Sequence, residues 1–364
     1  MSVRVADVVD AIHDAFPAEW AESWDRVGLL AGDPAAEVSK VLVSLDPTPA
    51  ALERARQAGA RALVTHHPVF LEPPATLTPR GAGVAFAALD AGIALIAAHT
   101  NLDRAPRAAA ALPHLLGLDP GRPLEDAHLP MSMITVFVPG EAEHAVTEAM
   151  ALAGAGRIGE YRGCSFAASG TGAFTPADDA SPHSGAPGEA SSARELRLEM
   201  VAPPACAGAV VRAARDAHPY EEPLITVTPV TIARGNARMG RISTLREPTS
   251  LATFVDHVSD VFRITPRVWG DPGARLASVA TATGSAGSLV PAALEAAVDV
   301  LVAGEVRYHD AQTAAAAGLC VVEIGHDVSE WPLVPVLASA LSGAPDLSAV
   351  TVLVDPPAAG WWTP

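Results

Sequence analysis

The chain has 364 residues, too many for one ordinary compact domain, and its 49% hydrophobic content is ample for buried cores. A formal net charge of −17 argues against non-specific nucleic-acid binding, which needs a basic footprint. No apolar run reaches the roughly 18 residues of a membrane helix, and the opening residues lack the basic, apolar and cleavage regions of a secretory signal, so a cytoplasmic protein without membrane partners is expected.

In chain order, residues 3–16 carry apolar side chains at helical spacing and predict a first helix. Residues 20–32 read as a turn-rich segment. Residues 41–45 predict a buried strand followed by Asp46, residues 49–58 a helix, and residues 62–65 a strand ending at His66 and His67. A helix over 84–91 and a strand over 93–97, ending at His99, continue the alternation. Such alternation implies a largely parallel sheet with covering helices, and functional groups of such sheets collect beyond the carboxyl ends of strands.

A different pattern begins near residue 131. Strands are predicted over 132–139, within 160–176, over 195–201 and over 224–231, with helices over 141–153 and 205–216. Residues 178–193, rich in Ala, Ser, Gly and Pro, predict a surface loop. The order strand–helix–strand–strand–helix–strand suggests a small ferredoxin-like α+β insert. The α/β pattern then resumes, with strands over 241–244, 276–281, 300–303, 320–324 and 350–354. Helices are expected over 251–261, 291–297, 309–317 and 326–341, before an exposed, proline-rich tail.

Twelve histidines are present, and most need no functional explanation. Four clusters stand apart because each falls at a strand's end. His66 and His67 are adjacent, with Pro68 restraining the chain behind them. His99 and Asp103 follow the next strand. His326 and Glu330, four residues apart at the start of a helix, share one face. Glu305, Tyr308, His309 and Asp310 could support them from a fourth strand end. Imidazoles with carboxylates, and no thiolate among them, suit zinc, iron, manganese, nickel or cobalt. Cys164, Cys206 and Cys320 form neither a metal motif nor a disulfide framework.

These residues also carry a family resemblance. The chain resembles the NIF-three-like family, whose members are often called GTP cyclohydrolase 1 type 2 homologues. The matching segments are ESWDRVGLLAG at 22–32, VTHHPVF at 64–70, AAHTNLD at 97–103, GEVRYHDA at 304–311 and IGHDVSE at 324–330. The resemblance implies two divalent metals per chain held by His66, His67, Asp103, His326 and Glu330, with Glu330 bridging. Arg26 and Leu30 stand where the family pattern has Asn and Gln, and neither is an implied ligand. Segments 156–174 and 217–223 resemble the PII/CutA-like insert of longer members. The implied layout is an N-terminal α/β portion over 1–128, an insert over 129–233 and a C-terminal α/β portion over 234–364. The resemblance further implies a toroidal homohexamer.

Paired metals suit hydrolysis, because they can activate water and clamp substrate oxygens. A metal-dependent hydrolase acting on a nucleotide or related small molecule is therefore one expectation, with His99 and His309 as candidate proton carriers. No phosphate-binding P-loop is present; Arg104, Arg307 or the turn at 283–287 could receive a phosphate. The other expectation is a non-enzymatic metal-binding, metal-delivery or regulatory protein. His218-Pro219-Tyr220-Glu221-Glu222 could form a second ligand site or serve the fold.

Overall fold

The computed structural model describes residues 2–126, 128–158, 161–233 and 235–357; the end of the expected tail lies outside these. The chain divides into two compact units, one from residues 1–126 with 236–364 and one from residues 127–235.

The first unit contains two sheets. One has five strands in the order Gly28–Ala31, Ala94–Ala97, Ala62–Thr65, Lys40–Ser44, Thr351–Val354. Its three central strands and the last are parallel, so strand-end residues of Ala62–Thr65 and Ala94–Ala97 emerge side by side. Both of those strands are buried along their whole length. Helices on both faces explain the burial, since a parallel sheet needs two apolar covers. Val41, Val43, Val64 and Ile96 pack towards the helices Val5–Ala15 and Leu333–Gly343. Leu42, Leu63 and Leu95, one position out of phase, pack towards Pro49–Ala58 and Gly83–Asp90. Thr48 caps the helix Pro49–Ala58 by accepting the Ala51 N–H at 3.1 Å, and Pro49 occupies the first turn, where its missing N–H costs nothing.

The other sheet has six strands in the order Arg267–Trp269, Cys320–Glu323, Val300–Glu305, Arg275–Ser285, Arg241–Ser250, Arg122–Pro123. Its three core strands, Arg275–Ser285, Val300–Glu305 and Cys320–Glu323, are again parallel. Apolar clusters fill both faces.

The structure differs from the sequence expectation mainly in short elements and element ends; the strand Ser191–Ala202, for one, begins inside the expected loop over 178–193. The segment 20–32 contains the strand Gly28–Ala31, antiparallel to Ala94–Ala97, which is too short to show periodicity. Arg267–Trp269 is a strand of three residues, again below any pattern. The helix expected over 326–341 is two helices, His326–Glu330 and Leu333–Gly343, because Pro332 cannot supply the N–H that a continuous helix requires. This break leaves His326 and Glu330 on a short helical turn of their own.

The second unit has four strands in the order Phe166–Phe174, Ser191–Ala202, His128–Val138, Ile225–Ala233, all neighbours antiparallel. The helices Glu143–Leu152 and Ala207–Ala217 cover one face through Ile134, Val136, Leu198 and Met200 against Val146, Met150, Val210 and Ala214. This is the strand order that a split strand–helix–strand pattern produces. Within it His218 is buried, with Nε2 2.9 Å from the Phe137 carbonyl and Nδ1 accepting the Tyr220 N–H at 3.0 Å. Both ring nitrogens serve the backbone, so this histidine works for the fold. Among the described residues, no helix is long and apolar enough to cross a membrane.

Candidate metal centre

The carboxyl ends of the parallel strands in the first unit converge. His66 and His67 follow Ala62–Thr65, and their N–H groups donate to Ser44 O and Leu45 O, extending the ladder by two residues. His99 follows Ala94–Ala97 and precedes the short helix Thr100–Arg104, which carries Asp103. From the other sheet, Cys320–Glu323 leads through Gly325 into the helix His326–Glu330. Donor atoms of these residues form three groups, each within 4.8 Å: His66 with His67 and His99, His67 with His326 and Glu330, and His66 with Asp103 and Glu330.

Each histidine is held by its Nδ1. His66 donates to the Ala98 carbonyl at 3.0 Å, His67 to Asp46 at 2.7 Å, His99 to Asp25 at 2.7 Å and His326 to Glu305 at 3.2 Å. A neutral imidazole with its proton on Nδ1 presents a lone pair at Nε2. Anchoring the far nitrogen on a carbonyl or carboxylate is how proteins orient ligating imidazoles.

The Nε2 atoms of His66, His67 and His326 face carboxylates. His66 Nε2 lies 3.6 Å from Glu330 Oε1 and 3.8 Å from Asp103 Oδ1. Glu330 Oε2 lies 2.9 Å from His67 Nε2 and 3.1 Å from His326 Nε2. Yet Glu330 Oε2 and His66 Nε2, both buried, form no hydrogen bond among the described residues; the short approaches lack hydrogen-bond direction. Buried polar atoms are rarely left this way, and each such case needs a reason. Lone pairs converging on carboxylate oxygens are satisfied by a cation between them, and imidazole with carboxylate is the donor set of a borderline divalent metal. The residues fit such an ion.

Without a metal, protons would answer the same charge. Burial opposes a charged His66, but the Asp103 and Glu330 carboxylates outweigh it and raise its pKa. Burial likewise opposes the His67 cation, and Asp46 and Glu330 overcome it, raising that pKa to about 10. Glu330 raises His326 to about 9 against a burial penalty. Burial itself holds Asp103 above its ordinary value. Burial also works against the Glu330 carboxylate, but His66, His326 and His67 hold it well below the usual range.

Thr283 donates to Asp103 Oδ1 at 2.8 Å, and a Cβ on Gly284 (φ +58°) would collide with Glu330 Oε1. The expected turn at 283–287 is instead the end of the strand Arg275–Ser285, where the pairing with Val300–Glu305 shifts register, and Gly284 there makes room for the Glu330 carboxylate. Arg104, named above as a phosphate receiver, is buried and committed to Glu22 at 2.6 Å and Glu125 at 2.8 Å. His309 is exposed on the helix Tyr308–Ala316, its ring 5.4 Å from Tyr308, and belongs to none of the three groups. His99, by contrast, sits in the cluster. Sequence reasoning missed Asp25 and Asp46 as the anchors of His99 and His67. Asp46 also stands just beyond a strand end, Lys40–Ser44, but a single carboxylate there gives no further signal. Burial disfavours the Asp25 carboxylate, yet hydrogen bonds from His99 and Thr100 bring its pKa down to about 2.

A family model described as Duf34/NIF3 (NGG1p interacting factor 3) matches residues 3–356. The chain belongs to the Duf34/NIF3 family. It is 36% identical to a Mycobacterium leprae protein named GTP cyclohydrolase 1 type 2 homolog, over 98% of this chain and 95% of that one. A Bacillus subtilis protein of the same name is 32% identical over 89% of this chain and 88% of its own length. Among solved structures, a Bacillus cereus protein related to NIF3 is 28% identical with a TM-score of 0.62, covering 98% of this chain and 97% of that one. A Staphylococcus aureus structure at 22% identity and TM-score 0.67, covering 100% and 99%, shares the fold.

Proposed function

We propose that this Duf34/NIF3 chain holds two divalent metal ions and uses them to hydrolyse a nucleotide or a related small molecule. The observation that carries the reading is the convergence of orphaned lone pairs on Glu330. Its Oε1 faces His66 beside Asp103, while its Oε2 faces His67 and His326. Two three-residue groups that share one carboxylate support two ions bridged by it. His66 and Asp103 would hold one ion and His67 and His326 the other, with zinc, iron, manganese, nickel or cobalt compatible with the donors.

When bound, such ions supply Lewis acidity and make water acidic enough to attack at neutral pH. The chain's own residues then have defined tasks. Asp46 and Glu305 hold the His67 and His326 rings in register through Nδ1. His99, anchored on Asp25 through Nδ1, would take a proton at Nε2. His309 lies outside the cluster, so the geometry favours His99 for that task. The name shared by the relatives, GTP cyclohydrolase 1 type 2 homolog, makes purine nucleotides the first substrates to try. We also take residues 129–233 as a PII/CutA-like insert, which the strand order supports, and the assembly as a homohexamer.

The deciding experiment is activity screening of metal-reconstituted protein against GTP, other nucleotides and phosphoesters, with Glu330→Ala as the blank. The reading expects about two ions per chain by elemental analysis and turnover that the blank lacks. Absence of metal after reconstitution would remove the site. Two readily exchanging ions without turnover on any substrate would favour metal delivery instead. Light scattering of the eluted species tests the hexamer.

A further inference from the structure

Beside the cluster stands an aromatic side chain that the metal reading does not use. Trp24 is 53% exposed, and its ring centroid lies 6.0 Å from that of His99 at an interplanar angle of 75°, an edge-to-face contact. The loop that carries it is tied down on both sides. The Glu22 N–H donates to Thr100 Oγ1 at 2.9 Å, and the Glu22 carboxylate pairs with buried Arg104. Asp25 is buried and accepts from the Thr100 N–H at 3.0 Å and from His99. The Asp25 N–H closes the turn onto Glu22 O at 3.0 Å. A tryptophan between two such anchors would be expected to turn inward, because burying an indole is favourable. Here the indole is exposed at the cluster's edge, on a loop tied down by the same Asp25 that orients His99.

We propose that Trp24 is a stacking platform for a flat heteroaromatic ring, such as a nucleobase, carried by the substrate of this site. The proposal rests on the hydrolase reading for the word substrate, and on the indole's position for the ring. An exposed indole offers a broad apolar face, and any base has a π-face to lay on it. The ring would then sit next to His99, the residue best placed to exchange a proton. Specificity for a planar ring follows from shape and stacking, with no dedicated hydrogen-bond code needed.

The test uses the full-length, metal-loaded protein and calorimetric titration with guanosine, adenosine, cytidine, GTP and inorganic triphosphate. Replacing Trp24 by alanine (Trp24→Ala) should weaken nucleoside and GTP binding by roughly 5- to 150-fold, the range of a lost base–aromatic stack. Trp24→Phe should restore most of the affinity, and triphosphate binding should not change. Metal content and oligomeric mass should match wild type in both variants. The proposal fails if wild type binds none of the three nucleosides, or if Trp24→Ala binds them equally well. It also fails if the alanine variant loses metal or changes oligomeric mass, since the indole would then serve the fold or an interface. Nucleoside binding that depends on Trp24, with no turnover of any substrate, would keep the platform and remove the hydrolase reading.

Discussion

No β-carbon fits between Gly284 and the carboxylate of Glu330. The glycine has φ +58°, and a Cβ built on it collides with Glu330 Oε1. The six-stranded sheet thus delivers a bare stretch of strand backbone, at a register shift, against the side chain that faces His66, His67 and His326. Replacing this glycine by alanine adds the mild strain of a left-handed non-glycine residue, about 1 kcal/mol. The carboxylate must swing away. Gly284→Ala should therefore lower metal content sharply while shifting the melting temperature by only a few degrees. Full metal occupancy in that variant would contradict the close approach.

Glu330→Ala removes the carboxylate common to two of the three donor groups. Both ions should be lost together in elemental analysis. Retention of one ion per chain would show that Glu330 serves a single metal.

Asp46 anchors His67 through Nδ1 at 2.7 Å. Its removal frees the ring to rotate and to change tautomer. Asp46→Ala should weaken metal binding about 10- to 100-fold without emptying the site, the usual effect of losing an outer partner of a ligating histidine. A chelator competition titration reads this directly, and unchanged affinity would speak against the anchor.

The metal-free protein should depend on pH in a defined window. The folded-state pKa values of His67 and His326 are raised to about 10 and about 9 from an ordinary value of 6.5, with Glu330 among the causes in both cases. Groups raised in this way contribute stability that is fully present below about 6.5 and disappears as pH climbs through 9 to 10. Metal-free wild type should lose melting temperature over that interval, and Glu330→Gln, which lacks the charge responsible, should lose less. Equal slopes for the two proteins would refute the coupling. Metal binding at pH 7 should release protons, because the ion takes the place they hold.

Ser329 connects the two halves of this corner. Its Oγ accepts the Gly284 N–H at 2.8 Å and donates to the His326 carbonyl at 2.8 Å, and the residue is fully buried. Ser329→Ala leaves a buried N–H unpaired, which costs about 1–3 kcal/mol. Denaturant titration should show that loss, together with weaker metal binding.

Part of the candidate site was legible along the chain. Four clusters, at His66–His67, His99–Asp103, Glu305–Asp310 and His326–Glu330, stood out because each follows a strand of an alternating α/β pattern, and parallel strands put their carboxyl ends on one side; the family resemblance singled out His66, His67, Asp103, His326 and Glu330 among them. Long, strongly patterned elements such as Pro49–Ala58 were equally plain. Short elements were not. Gly28–Ala31 and Arg267–Trp269 have too few residues to show a period, and they form only because a partner edge is there to pair with. The break at Pro332 is visible as a proline inside a segment whose spacing otherwise predicts one helix.

The sequence by itself determined which chemistry is available: imidazoles and carboxylates at strand ends, no thiolate among them, and the family to which they belong. Tertiary structure alone decided which nitrogen of each histidine is spent on an anchor and which is left over. That choice depends on acceptors distant in the chain, Asp25 for His99, Ala98 O for His66 and Glu305 for His326, brought near by sheet pairing and by no local rule. It likewise decided that the strand glycine at 284 yields space to a carboxylate 46 positions further on, and that an indole at 24 faces solvent beside His99. Contacts of this range are set by the packing of whole sheets, which a reading along the chain does not contain.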